Sequence, residues 1–348
     1  MSTPPYVVRA VRPTDFEDFQ EIRELAGPGF TSLLMNDAQL RERLEVAAAA
    51  FTTEVAAPGK ERYLLALEHT ASGRVVGCCQ VKATVGDAPP FFNFRILRVA
   101  QASAAADRRF DLDVLILVNE FFNCTEVGSL FLRPEHRVPG LGRALAQSRY
   151  LLMAAEPHRF NDRVVSELRG VVSEDGVSPF WEALGRHFFR MDFNEADRLS
   201  ATTDNQFILD LMPKYPIYVD LLPQEARDVI GKTHAHGRGA RSLLEWEGFR
   251  FDNVVDIFDG GPLLSVSRDA IRTSRKSRRV RVEADETLNG ARRGLMANPE
   301  IARYACAMTR FVIDGDKGQE IARADTDTLK SLGLEPGAEA LIWSDDAS

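Results

Sequence analysis

Cysteine is scarce in this chain: Cys78, Cys79, Cys124 and Cys306 are all it has, and no two stand at a Cys-x-x-Cys spacing. That excludes a disulfide framework and a cysteine-based zinc site, so no metal is expected and a reduced, cytoplasmic setting is. Long apolar runs are missing too. The longest, near Val114 to Val118, is of strand length, whereas a bilayer span needs about 20 residues. Met1 to Val11 lacks a basic segment followed by an apolar one, so no secretory signal is expected. Nor is there a basic excess: 43 Lys plus Arg face 51 Asp plus Glu, a net charge of -8. A general nucleic-acid binder would show the opposite balance.

What is present suits an ordinary soluble protein. The 348 residues are 45% hydrophobic and 27% charged, enough for a full core and, as a prior, two or three domains. Tyr6 to Val11 predicts a strand, and Thr14 or Asp15 caps a helix running to about Ala26. Gly27-Pro28-Gly29 ends it, and Asp37 to about Phe51 predicts a second helix. Arg62 to Glu68 and Arg74 to Val85 predict a hairpin about Ser72-Gly73. Strands follow at Phe91 to Val99 and Glu126 to Leu132, a helix at Gly140 to about Ala155, and a strand at Arg163 to Leu168. This order is α+β with a mixed sheet flanked by helices. A second αβ stretch spans Pro179 to Pro262. The tail predicts strands at Ala302 to Val312 and Ala338 to Trp343 around a short helix at Thr326 to Leu332. The expected divisions are 1–200, 201–282 and a strand-rich extension, 283–348. Phe180 to Gly185 and Leu243 to Gly248 echo each other, each reading as a helix end, a glycine cap and a following strand. Such junctions are common in αβ proteins, and a duplicated unit is the sharper reading.

The strongest local pattern is Arg137-Val138-Pro139-Gly140-Leu141-Gly142, where a strand ends and a loop opens a helix. Glycines allow close backbone approach to a ligand. The first helical turn offers unpaired N–H groups and the positive end of the helix dipole, which suit a pyrophosphate. Arg137 and Arg143 would add charge-assisted contacts. A glycine-rich turn with no ligand is the plainer alternative.

This loop resembles the coenzyme A pyrophosphate loop of the GNAT acyltransferases. A longer series resembles the arginine/ornithine N-succinyltransferase family in order and spacing: Phe30-Thr31-Ser32-Leu33, Asn93-Phe94-Arg95, Ser129 to Leu132, Glu167 to Gly170, Ser178 to Trp181, Leu211 to Tyr218 and Asp256 to Pro262, among others. It covers about Tyr6 to Arg281. The resemblance implies a GNAT-like fold without a permanently bound cofactor. It also implies transfer of succinyl from succinyl-CoA to the α-amine of L-arginine. The proton-donor histidine falls on His234, the succinyl-CoA contact on Leu130, and the thioester lies along the strand ending at Leu132. The chain reads His234-Ala235-His236-Gly237 where the family has His-Pro, and Phe91-Phe92-Asn93 where it has Trp-Tyr-Asn.

The reaction needs a neutral amine and a proton for the departing thiolate, and histidine titrates where it can serve either step. His234 is the candidate general acid, with His236 as a rival; His187, in an aromatic run, reads as packed. Glu126 is the candidate acceptor of the amine's proton. Arg95 and Arg169 are candidates for the succinyl carboxylate. Glu167, Asp256 and Asp259 are candidates for a guanidinium, although Asp259-Gly260-Gly261 also reads as a turn. Cys124 lacks a sequence-identifiable partner, which favours direct attack in a ternary complex. The basic run Arg268 to Arg281 reads as a solvated helix face or subunit contact, with an anion site as the alternative. Ornithine or another amine or acyl-CoA, and a non-catalytic acyl-CoA-binding subunit of a homo- or hetero-oligomer, remain as other readings. No membrane partner is expected.

Overall fold

The computed structural model describes residues 4–26, 35–202, 206–316 and 319–345. The Phe30 to Leu33 motif and the Gly27-Pro28-Gly29 break lie outside them. In chain order the strands are β1 (Tyr6–Ala10), β2 (Arg62–His69), β3 (Arg74–Val85), β4 (Asn93–Ser103), β5 (Arg108–Val118), β6 (Cys124–Leu132), β7 (Arg163–Glu167), β8 (Ile217–Tyr218), β9 (Arg250–Asp256), β10 (Pro262–Ser267), β11 (Arg278–Ala284), β12 (Arg292–Ala297), β13 (Ala305–Asp314), β14 (Ile321–Ala324) and β15 (Glu339–Ser344). The first three helices are α1 (Phe16–Ala26), α2 (Asp37–Ala50) and α3 (Leu141–Ala155). Among the described residues, no helix is long and apolar enough to cross a membrane.

The chain forms two compact units, the first from 1–84, 127–162 and 267–348, the second from 85–126 and 163–266. In the first unit β1 pairs antiparallel with β2 and β2 with β3. The alternating apolar side chains of these strands, such as Leu64, Ala66 and Val75, bury against Phe19 and Ile22 of α1 and Leu40 and Leu44 of α2. A reciprocal cap starts α2: Asn36 accepts from the Gln39 N–H at 2.9 Å, and Gln39 accepts from the Asn36 N–H at 3.0 Å. Buried Arg9 grips Asp15 through both Nη atoms, each at 2.8 Å, tying β1 to the turn before α1.

The tail is richer in strands than expected. β11 to β15 close into a ring in the order β12, β15, β11, β14, β13 and back to β12. Closure leaves few open edges, and Val280, Val282, Phe311, Leu329 and Ile342 fill the interior. The start of β13 pairs with β1, Val8 opposite Cys306, so the tail continues the first unit's sheet. The basic run is a 3-10 turn at Arg268–Ala270, a helix at Arg272–Lys276 and the start of β11.

In the second unit the strand order is β6, β7, β10, β9, β4, β5, β8. β6 and β7 are parallel, while β10–β9, β9–β4 and β4–β5 are antiparallel. Trp181 sits at the centre of this unit's core with Phe94, Phe180, Phe193 and Phe258.

The echo between Gly185 and Gly248 does not survive. Gly248 caps a helix at φ 105° and leads into β9. Gly185 lacks a left-handed backbone and opens a second short helix, Gly185–Phe189, where a strand ending at Phe193 was expected. Gly185 is needed for space instead: a Cβ there would lie 2.1 Å from the Trp181 ring. Gly185→Ala is therefore expected to cost about 1–3 kcal/mol by forcing Trp181 aside. Urea unfolding checks this, and an unchanged midpoint would contradict it.

Candidate functional site

The expected site residues fall into two groups, each inside one unit. In the first unit β6 ends in the glycine loop. Ser129, in the middle of β6, has φ 51°, a left-handed value that few non-glycine residues adopt. The Ser129 hydroxyl donates to Gln80 Oε1 at 3.2 Å, and its carbonyl accepts from the Cys78 thiol at 3.5 Å. The kink re-aims the strand at Leu130 to Leu132, all half-buried. Leu130 and Leu132 thus follow a break the sequence did not signal.

Beyond it, buried Arg133 pairs with Glu21 at 2.7 Å, anchoring the strand end to α1. Gly140, at φ 85°, is the N-cap of α3. A Cβ on Gly140 or Gly142 would meet nothing within 4 Å, so both glycines border open space. The first-turn N–H groups of this 15-residue helix have no intrahelical acceptor by geometry. Leu141 N–H bonds to the Val138 carbonyl at 3.2 Å. Arg137 is exposed, its Nε donating to the Leu132 carbonyl at 3.2 Å. Arg143 turns instead to the tail, with Nη2 2.8 Å from Asp345 and its guanidinium over Trp343.

The second group is built on backbone contacts between loops. After β7 the chain runs through Leu168 to Gly170; after β9 it runs through Asp259 to Gly261. Added Cβ atoms would lie 2.3 Å from the Asp259 carbonyl at Gly170 and 2.2 Å from the Leu168 carbonyl at Gly261. Only glycine allows this approach. The buried Asp259 carboxylate joins the loops, with Oδ2 accepting from Gly170 N–H at 2.7 Å and Oδ1 from Gly261 N–H at 2.8 Å. Its turn-forming reading holds, and it reaches a second loop as well.

His234 hangs from this junction. Gly231 N–H donates to the Gly260 carbonyl and His234 N–H to the Arg169 carbonyl, both at 2.8 Å. The His234 ring is half-buried, and its Nδ1 accepts from the His236 backbone N–H at 3.2 Å. In the neutral ring the proton therefore sits on Nε2. Burial, then nearby His236 and Arg169, push its pKa below the ordinary value, against the Val172 carbonyl and Asp259. His236 is exposed, with its ring 4.9 Å from that of His234.

Both candidate arginines are engaged in ion pairs. Arg95 makes a two-pronged pair with Glu120 and donates to the Asp252 carbonyl at 3.0 Å. Arg169 lies 3.9 Å from Asp197, whose carboxyl burial raises to about 6 despite that cation. Glu126 is the third residue of β6 rather than its first, half-buried beside Val165 of β7. Glu167 ends β7 and accepts from Asn93 Nδ2 at 3.3 Å. Asp256 accepts from the Phe258 and Asp259 N–H groups, both at 2.7 Å. Burial first, then Asp259 and Glu167, raise its pKa well above the carboxylate range. Cys124 is buried, and that burial raises its thiol. Sequence reasoning gave no role to Asn93 or Ser129. Neither buried polar satisfaction nor a strand kink leaves a residue-type signal.

Residues 6–273 match the family model described as arginine N-succinyltransferase beta subunit. An arginine N-succinyltransferase of Escherichia coli O6:K15:H31 is 42% identical over 285 residues, 82% of this chain and 82% of that protein. One from Salmonella typhi is 41% identical over 307 residues, covering 87% and 89%. Among solved structures, arginine/ornithine succinyltransferase subunit AI from Pseudomonas aeruginosa has a TM-score of 0.87 at 30% identity, covering 99% of this chain and 100% of that one.

The junction generates a stability test. Asp259→Asn replaces one acceptor oxygen with a donor and leaves a buried N–H unpaired, which should cost about 1–3 kcal/mol. A change below about 0.5 kcal/mol in urea unfolding, within the range of ordinary surface substitutions, would show that the carboxylate does not join the loops.

Proposed function

The chain belongs to the arginine N-succinyltransferase family, and from that premise we propose that it transfers succinyl from succinyl-CoA to the α-amine of L-arginine. The observation that carries the chemistry is the orientation of His234: Nδ1 is occupied by a backbone N–H, so the neutral ring carries its proton on Nε2, and the ring's hydrogen bond to the Val172 carbonyl must yield for that proton to serve the substrate. A neutral Nε2–H suits the oxyanion of a tetrahedral intermediate and the departing sulfur better than it suits accepting the amine's proton. That proton goes to a carboxylate, for which Glu126 is our candidate, directly or through water. The amine nitrogen bonds to the thioester carbon, the C–S bond breaks, and the thiolate takes a proton. Buried Cys124, its thiol pushed up, is a poor nucleophile. This favours direct attack in a ternary complex over a succinyl-enzyme.

Coenzyme A is assigned to the glycine loop. Gly140 and Gly142 border open space, Gly142 N–H in the first turn of α3 has no intrahelical acceptor, and exposed Arg137 can reach a phosphate. Arg143 would have to leave Asp345 to join it. Leu130 and Leu132 follow the kink in β6 and are assigned to the acyl-pantetheine side. Glu167 is assigned to the guanidinium of the arginine acceptor. Arg95 is a weaker candidate for the succinyl carboxylate, because Glu120 already takes its guanidinium. Because the Pseudomonas relative is described as acting on arginine/ornithine and as a subunit, ornithine stands as a second acceptor and assembly with further chains as a second proposal.

With succinyl-CoA and L-arginine, thiol release followed with a chromogenic disulfide should be rapid. His234→Ala is expected to lower kcat about 10²–10⁴-fold with the KM for succinyl-CoA little changed. Undiminished release in the variant would remove the histidine's role. Protonating His234 would place a proton on Nδ1 against the His236 N–H. Activity should therefore fall as pH drops through a pKa below about 6.5. His236→Ala removes a neighbour that depresses this pKa, so the inflection should move up. Movement downward would contradict the assignment.

A further inference from the structure

Three strand ends in the second unit bring hydrogen-bond acceptors together. Asn93, the first residue of β4, lies directly opposite Asp256, the last of β9. Glu167, the last of β7, accepts from Asn93 Nδ2 at 3.3 Å. A carboxylate can only accept, so this contact fixes the amide, nitrogen toward Glu167. Asn93 is 0% exposed, and among the described residues its Oδ1 has no hydrogen-bond partner. Buried carbonyl oxygens without a donor are uncommon, and each one asks for an explanation. Beside it Asp256 spends Oδ1 on two backbone N–H groups.

The group that fits such a cluster is flat, cationic and rich in N–H. A guanidinium has five donors in a rigid fork and a delocalised, weakly hydrated charge, whereas an ammonium is a compact, strongly hydrated point charge. We propose that Asn93, Glu167 and Asp256 form a guanidinium receptor for the acceptor's side chain, with Asn93 Oδ1 as a specificity-determining atom. The proposal rests on the reading that the chain succinylates arginine, and it separates arginine from ornithine, which carries an amine at the same end. A site that hydrogen-bonds one group strongly disfavours a ligand lacking it, because its own buried acceptors then go unpaired.

The test uses the full chain with saturating coenzyme A, titrated calorimetrically with L-arginine and with L-ornithine. Wild type should bind arginine at least tenfold tighter. Glu167→Gln keeps the shape and an acceptor for Asn93 Nδ2 but loses the charge, and should shrink that preference at least fivefold. Asn93→Leu removes the orphan oxygen and should do the same. Coenzyme A affinity should stay within twofold in both. If Asn93→Leu does not fold, Glu167→Gln decides alone. A wild type without preference for arginine, or a preference retained in the folded variants, would overturn the receptor. The functional reading fails separately, as an absence of thiol release from succinyl-CoA with either amine.

Discussion

One buried carboxylate organises the second unit's candidate site. Asp259 takes the N–H groups of Gly170 and Gly261, at 2.7 and 2.8 Å, and so joins the loops that follow β7 and β9. Without a Cβ at either glycine, the two backbones come close enough for a third segment to hang from them. Gly231 bonds to Gly260 and His234 to Arg169, both through the main chain. The histidine's position is therefore fixed by peptide groups rather than by its own side chain. Its ring is then oriented by the His236 N–H and by a hydrogen bond to the Val172 carbonyl.

Electrostatics follow from the same arrangement. Glu167, Asp256 and Asp259 gather acidic groups near one another, and burial with mutual repulsion raises Asp256. His234 is shifted in the direction that keeps it uncharged. Perturbed groups of this kind concentrate at functional sites, although structural networks produce them too. Here the two causes can be told apart by residue. Asp259 is committed to backbone N–H groups, whereas among the described residues Asn93 keeps a buried acceptor without a partner.

Much of the fold was legible because its elements follow simple periods. The α2, β2–β3 and α3 boundaries lie within a residue or two of those expected from apolar spacing and caps. β11 escaped because its residues are dominated by arginine, although Val280 and Val282 alternate inward as a strand requires. Gly185 misled because the same residue serves as a helix cap or as room for a neighbouring ring, and only the packing of Trp181 distinguishes them. At the site, residue types and motif order pointed to His234, Glu167 and the glycine loop. The ion pairs that occupy Arg95 and Arg143, the kink at Ser129 and the orphan oxygen of Asn93 depend on long-range contacts, and no local pattern encodes those.

The proton donor at the site depends on the state of the His234 ring. Nitrogen-15 NMR of the histidine-labelled chain at pH 7, with His234→Gln to assign the resonance, reads which nitrogen carries the proton. A neutral ring protonated on Nε2, with Nδ1 as an acceptor, is the expected result. A ring protonated on Nδ1, or an imidazolium at that pH, would contradict the arrangement of backbone contacts around Asp259 as the source of the donor.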